Sequence, residues 1–210
     1  DTICLRIFDD RKTGTFKGAK LETTLSGIPA LMDTLHKHNA QNRGIYFVVN
    51  SGGHEDGEIT RINAQFMECD ELSMEEQLKQ IEAFPLEPSL IVKTRKSLHT
   101  YWLVKDGDVA AFRRVQKRLA AHFHGDRTCV NESSVLRLPG FNHCKAEPVA
   151  VECIHFRPEL RYTQAELEQY LPQVEEAPAP SSMAPVKGTR LGLSLVPVSY
   201  THLRAHETEA

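Results

Sequence analysis

A chain of 210 residues with 40% hydrophobic content has room for one domain of ordinary size and a tail, or one domain and a fragment of another. No stretch approaches the ~18 uninterrupted apolar residues that a bilayer span needs, so no membrane-crossing segment is expected. The net charge of −3 does not advertise a nucleic-acid binder. Two local basic clusters, Lys93-Arg95-Lys96 and Arg113-Arg114 with Lys117-Arg118, read by default as solvated faces, although clustered charge can mislead a global count.

Five cysteines (Cys4, Cys69, Cys129, Cys144, Cys153) lack any C-x-x-C spacing. An odd, scattered set predicts reduced thiols in a cytoplasmic setting. Residues 1–10 show neither a basic n-region nor an apolar h-region, so no secretory signal is expected. The missing initiator Met leads us to expect that the natural start lies upstream.

In chain order, Ile3–Phe8 alternates weakly and predicts a strand ending at Asp9-Asp10. Ile28, Leu31, Met32 and Leu35 follow helical spacing after Gly27 and predict a helix over 28–38. Ile45–Val49 is an apolar strand stopped by Asn50-Ser51-Gly52-Gly53, and Thr60–Asp70 is the next. Ser73 with Glu76 forms a capping box ahead of a helix whose buried stripe is Met74, Leu78 and Ile81. Leu90–Val92 and Leu98–Val104 read as a hairpin through Arg95-Lys96-Ser97. In its second arm His99, Tyr101 and Leu103 face one way, and Thr100, Trp102 and Val104 the other. Val109, Phe112, Val115, Leu119 and Phe123 define a strong helix. Strands follow around Val135–Arg137 and Val149–Ile154, then a helix opened by Thr163. The mixture predicts an α/β or α+β fold with a mixed or antiparallel sheet.

Three segments are expected: a domain over 1–172, a Pro/Ala/Ser-rich linker over 173–196, and a tail over 197–210. The tail, Pro197 through Thr208 above all, reads as the in-frame translation of a transposon-type sequencing adapter. It is expected to be an artefact, so His202 and His206 carry no weight as ligands.

Glu68 and Asp70 hold the most chemistry. On a strand they project from the same side with Cα atoms ~7 Å apart, while Met67 and Cys69 turn inward. Like charges so placed repel, and a divalent cation is the simplest reason to keep them. Ser97-x-His99, Gly125-Asp126 and the stretch Val135-Leu-Arg137-Leu-Pro139-Gly140-Phe-Asn-His143-Cys-Lys145 are the other constellations. Each alone has an ordinary structural reading: a half-buried histidine, a turn acid, a Pro-Gly reversal.

As an ordered set they resemble the archaeo-eukaryotic primase superfamily, most closely the RepB-like primase and primase-polymerase domains of phages and plasmids, over roughly residues 1–172. The resemblance implies a two-acid strand (Glu68, Asp70), a Ser-x-His strand (Ser97, His99) and a third acid. Asp126 is the candidate for the third, with Glu132 close by. Arg137 to Lys145 looks like the segment that follows in this subfamily, and Phe8-Asp9-Asp10 looks like the opening of phage members. Glu68 departs from the family, whose close members more often carry Asp there.

The implied fold is a primase-like core, an RRM-like sheet flanked by helices. The implied activity is a primase-polymerase (DNA-dependent nucleotidyltransferase) that makes or extends primers by two-metal-ion catalysis. Glu68, Asp70 and Asp126 would hold Mg²⁺ or Mn²⁺, whose hardness suits carboxylates. His99 and Ser97 would contact the triphosphate, and Arg137 and Lys145 other phosphates. Single-stranded DNA template, NTPs or dNTPs and a replicative helicase in cis or trans are the implied partners, in a bacterial cytoplasm and encoded by a phage or plasmid.

Three other readings compete. Cys129, His143, Cys144, Cys153 and His155 could form a structural zinc site, but no knuckle spacing exists and zinc is not expected. A replication-initiator or relaxase nuclease needs a His pair on a sheet, whereas His36-Lys-His38 and His122-Phe-His124 fall on predicted helices. A non-catalytic nucleic-acid-binding module is the third, and the net charge argues against it.

Overall fold

The computed structural model describes residues 2–174. The expected linker from 175 onward and the expected tail over 197–210 lie outside the described residues.

Two sheets form the frame. In the first, β1 (Ile3–Asp9) lies between β2 (Ala19–Thr23) and β3 (Arg43–Val48), and β7 (Val135–Arg137) adds to β3, all antiparallel. In the second, β6 (Leu98–Val104) is the central strand. Leu103 pairs with both Ala64 and Arg161, so β4 (Ala64–Met67) runs along one edge of β6. The other edge takes β5 (Leu90–Lys93) and then β11 (Arg161–Tyr162), the parallel member. β10 (Glu152–Phe156) extends the sheet beyond β5. A small hairpin of β8 (Asn142–His143) and β9 (Val149–Ala150) stands apart.

The helices form where the sequence caps them. Ser73 and Glu76 exchange both bonds of a capping box ahead of α2 (Met74–Ala83). Asp108 accepts from the Ala110 N–H to open α3 (Val109–His122), and Thr163 caps α4 (Gln164–Glu168). α1 (Ile28–Ala40) has Pro29 in its first turn and ends before Asn42, which adopts φ 61°. α1 closes a small core of Leu5, Ile7, Leu35, Ile45 and Phe141 over the first sheet. The larger core gathers Phe66, Trp102, Phe112, Val115, Leu119 and Phe123, where α3 covers the second sheet.

The alternation along β6 holds. Tyr101 looks toward the first sheet, its ring 6.3 Å from that of Phe47, while Trp102 packs on Phe84 and Phe123 behind. The hairpin through Arg95-Lys96-Ser97 is also as expected.

The strand expected over Thr60–Asp70 is shorter: only Ala64–Met67 pairs with β6. Side chains and another loop take the flanking backbone groups. Asn63 N–H donates to Asn50 Oδ1 (3.0 Å), Ser51 bridges to Arg61, and the Glu68 carbonyl accepts from Asp126 N–H (2.8 Å). The facing of side chains survives the strand end: Cys69 is buried, Glu68 partly so and Asp70 exposed. β2, which the sequence reading passed over, is a short edge strand with Lys20 and Glu22 pointing outward.

Candidate active site

The sequence-distant constellations converge. Glu68, Asp70, Ser97, His99, Asp126, Arg137 and Lys145 all border one cleft of about 470 Å³, joined by Tyr46, Arg95, Lys96 and His143. Asp70 and Asp126 also border a neighbouring hollow of about 410 Å³ beside His124 and Arg127.

The acids come together because β4 and the turn after α3 are tied through backbone. The Glu68 carbonyl holds the Asp126 N–H, and the Asp126 side chain is aimed by Thr128, whose N–H and hydroxyl both donate to Oδ1 (2.7 and 2.8 Å). Its Oδ2 is left facing the Cys129 thiol at 3.9 Å, and the same thiol reaches Glu68 Oε2 at 3.7 Å. Burial and these two carboxylates push the Cys129 thiol up to about 12. Asp70 is exposed and makes no side-chain hydrogen bond or ion pair among the described residues.

Glu68 is the anchored acid. Its Oε1 lies 3.3 Å from Nε2 of His99, which is only 2% exposed. Burial alone pushes the Glu68 carboxyl upward; the His99 hydrogen bond and the charges of His99, Lys145 and Arg137 outweigh it and hold it below its ordinary value. The carboxylate is therefore ionised at neutral pH, the form a hard cation requires. The three acids border the cleft from two segments, Glu68 and Asp70 after β4 and Asp126 after α3, without their ligand oxygens closing to within 4.8 Å as a set; among the described residues only Cys4, Glu22 and His54 do so.

Basic side chains border the same cleft. Lys145, exposed on the turn between β8 and β9, makes no side-chain bond among the described residues. Arg95 carries buried Nε and Nη2 atoms without partners, and both ring nitrogens of buried His143 are likewise unpaired. Burial, then the charge of Arg137, hold His143 down to about 4, so its ring is neutral. Unsatisfied buried donors are costly, and a wall of them facing a cleft fits an anionic ligand.

Two of the expected phosphate contacts, Arg137 and Ser97, border the cleft and are also engaged within the fold. Arg137, expected to reach phosphate, is 4% exposed and forks onto Asp10, Nη1 to Oδ2 and Nη2 to Oδ1, each 2.9 Å. Asp10 also accepts from Tyr46 Oη (3.1 Å) and Cys144 N–H (2.8 Å), so it pins β3, β7 and the start of the hairpin turn together. Gly44 permits this, because a Cβ there would lie 2.6 Å from Asp10 Oδ1 and 2.7 Å from Arg137 Nη1. Ser97 is buried, its hydroxyl 3.2 Å from Thr94 Oγ1 inside the β5–β6 turn.

Of the two candidates for third acid, Asp126 borders the cleft. Glu132 does not; it is buried and paired with Arg113 at 2.7 Å. The proposed zinc ligands Cys129, His143, Cys144, Cys153 and His155 are not gathered among the described residues. His36 packs on Phe141 and His38 takes the Arg43 guanidinium, so that H-x-H pair sits on a helix as the sequence implied.

Comparison with known proteins shows the family and the fold. The profile of the RepB DNA-primase N-terminal domain matches residues 56–180, more than half of the chain. The chain belongs to the RepB primase family. This RepB-type primase domain is similar to the AEP domain of the cyanophage S-2L primase-polymerase, with 32% identity, a TM-score of 0.70, and coverage of 81% of this chain and 89% of that one. It also shares its fold with the catalytic domain of primase RepB′, solved in complex with initiator DNA, at 19% identity, a TM-score of 0.61, and coverage of 80% and 84% of the two chains. A further RepB′ structure matches at 18% identity and a TM-score of 0.63, with 80% of this chain covering 56% of it. No curated protein matches the chain. The expected primase-like α/β core is thus present, and the domain has a DNA primase family role.

Sequence reasoning undervalued four residues of this primase domain. Asp10 entered only as part of an opening motif, Arg95 only as part of a basic cluster and of the hairpin turn, His143 within the 135–145 stretch and as a rejected zinc ligand, and Cys129 only as a rejected zinc ligand. The basic cluster at 93–96, set beside Ser97-x-His99, was the available signal for Arg95. Nothing local marked Cys129, whose partners are 61 and 3 residues away.

Proposed function

We propose that this domain makes or extends primers on a single-stranded DNA template by nucleotidyl transfer, in phage or plasmid replication. The observation that carries the reading is one cleft with Glu68, Asp70 and Asp126 beside Arg95, Lys96 and Lys145. Carboxylate oxygens suit Mg²⁺ or Mn²⁺, and such ions, when bound, supply activation of a primer 3′-hydroxyl and neutralisation of a leaving pyrophosphate.

The chain's own residues do the rest. Glu68 stays ionised through its His99 contact, and Asp126 presents Oδ2 because Thr128 occupies Oδ1. His99, whose Nδ1 is buried and unpaired, orients Glu68 and faces the triphosphate position. Arg95 and Lys145 receive phosphates, Arg as a fork and Lys as a point charge. Arg137 acts from behind, holding Tyr46 and the β8–β9 turn in place through Asp10. A replicative helicase, in cis or trans, is the expected partner. No helix among the described residues is long and apolar enough to cross a membrane.

The test is primer synthesis on single-stranded DNA with labelled NTPs or dNTPs. Asp70→Ala should lower incorporation by at least about 10²-fold with the fold intact. Full extension by Asp70→Ala would remove the assignment, and a protein-linked 5′ end would point to the nuclease reading instead.

A further inference from the structure

A second donor set lies on the first sheet, outside the cleft. Cys4 on β1 and Glu22 on β2 are register partners, which puts their side chains on one face, ~5 Å apart at Cβ. His54, from the loop after β3, closes the set, and the three ligand atoms all lie within 4.8 Å of one another. None of the three borders the catalytic cleft.

The loop is built to deliver His54. Gly52 adopts φ 144°, and a Cβ there would fall 2.0 Å from the Glu58 carbonyl oxygen, so only glycine lets the loop fold so closely. Glu58 Oε2 accepts from His54 N–H (2.7 Å) and Glu55 N–H (3.0 Å), and Arg6 Nη2 donates to the His54 carbonyl. The result is a ring 6% exposed with neither nitrogen hydrogen-bonded. Its Nε2 is 3.8 Å from Glu22 Oε1, too far for a hydrogen bond. A buried imidazole fixed by its backbone yet left without partners, beside a buried thiol and a carboxylate, lacks the group that would satisfy it.

We propose that Cys4, Glu22 and His54 bind a divalent transition-metal ion of the zinc class. One sulfur, one nitrogen and one oxygen donor match Zn²⁺ and not Mg²⁺, and three protein ligands leave a fourth position for water. Tetrahedral coordination sets ligand atoms roughly 3.5 Å apart, within a rotamer adjustment of the separations present. On binding, the Cys4 S–H bond breaks, a sulfur–metal bond forms and one proton passes to solvent. Arg6 and Lys20 lie close and oppose a cation, but Glu55 engages both, at 3.7 and 2.5 Å. Such an ion joins β1, β2 and the 52–58 loop, which leads directly into β4 and Glu68.

The experiment titrates untagged, chelator-stripped protein with Co²⁺ and then Zn²⁺. One equivalent of Co²⁺ should give a thiolate-to-cobalt charge-transfer band that Zn²⁺ displaces, with one proton released per ion. Cys4→Ser should lose the band. Glu22→Gln, at an exposed position that leaves folding intact, should weaken Zn²⁺ at least about tenfold in competition with a chromogenic chelator. Asp70→Ala should titrate as wild type, which separates this site from the proposed catalytic ions. Absence of the band in wild type, its survival in Cys4→Ser, or unchanged Zn²⁺ affinity in Glu22→Gln would overturn the site.

Discussion

His99 Nε2 stands 3.3 Å from Glu68 Oε1, although the two residues are 31 positions apart and Glu68 lies just past the last pair of β4 with β6. Removing this contact should be visible in the carboxylate itself. The His99 bond lowers the Glu68 pKa against burial, so His99→Ala lets burial dominate and the pKa rises. In wild type the depressed pKa gives stability that is present above the ordinary value of 4.5 and is lost as pH falls through the folded value. A ¹³C carboxyl titration of both proteins checks the direction, and an unchanged Glu68 midpoint in His99→Ala would contradict it.

The Asp10–Arg137 pair predicts a large stability effect. Both groups are under 10% exposed, and removing Asp10 leaves a buried guanidinium uncompensated. Asp10→Ala should cost about 3–5 kcal/mol in urea unfolding, whereas Asp10→Ala with Arg137→Met should recover much of it. Burial raises the Asp10 carboxyl, but Arg137 and the Cys144 and Tyr46 bonds bring it below its ordinary value. The pair's contribution therefore disappears only in acid, below the ordinary aspartate range.

Gln116, on α3, acts as a strand partner. Its Nε2 donates to the Phe66 carbonyl (2.5 Å) and its Oε1 accepts from the Phe66 N–H (3.3 Å), on the edge of β4 away from β6. Gln116→Leu orphans two buried backbone groups and should cost about 2–3 kcal/mol in thermal or urea melts. It should also lower primer synthesis, because Glu68 is two residues beyond the lost contact.

His143 predicts a loss of stability on acidification in the same direction as the two ion pairs, but beginning at a higher pH. Its folded pKa of about 4 lies below the free imidazole value of 6.5, so the unfolded chain binds the proton first. Stability should fall as pH drops from about 6.5 to about 4, and His143→Gln should flatten that segment of a melting-temperature profile.

Thiol reactivity should be ordered by burial. Cys153 is exposed, while Cys4, Cys69 and Cys144 are buried and Cys129 is raised to about 12. A disulfide reagent at pH 8 should modify one thiol rapidly in the native protein and all five after unfolding.

Much of the site was legible because its parts are local. The acids at 68 and 70, the Ser-x-His hairpin and the Asp126 turn each sit in a short pattern whose facing follows from strand or turn geometry. The pairing of Arg137 was not legible because its partner, Asp10, lies 127 residues away, and only packing brings the two together at the edge of the cleft. The choice of Asp126 over Glu132 had the same character, since Arg113 claims Glu132 across 19 residues of fold.

By itself, the sequence determined most of the elements, the caps at Ser73 and Thr163, and an ordered set of acids that resembles one family. The elements and caps follow from periodicity and from hydrogen bonds made within a few residues, whereas the family rests on the resemblance of the ordered motifs. Tertiary structure decided which charges are free to act. Burial and long-range pairing hold Arg137 and Ser97 in internal bonds at the cleft's edge and take Glu132 away from it, while Asp70 and Lys145 border the cleft without side-chain partners among the described residues. The same long-range packing brings Cys4, Glu22 and His54 together, a set that no spacing in the chain announces.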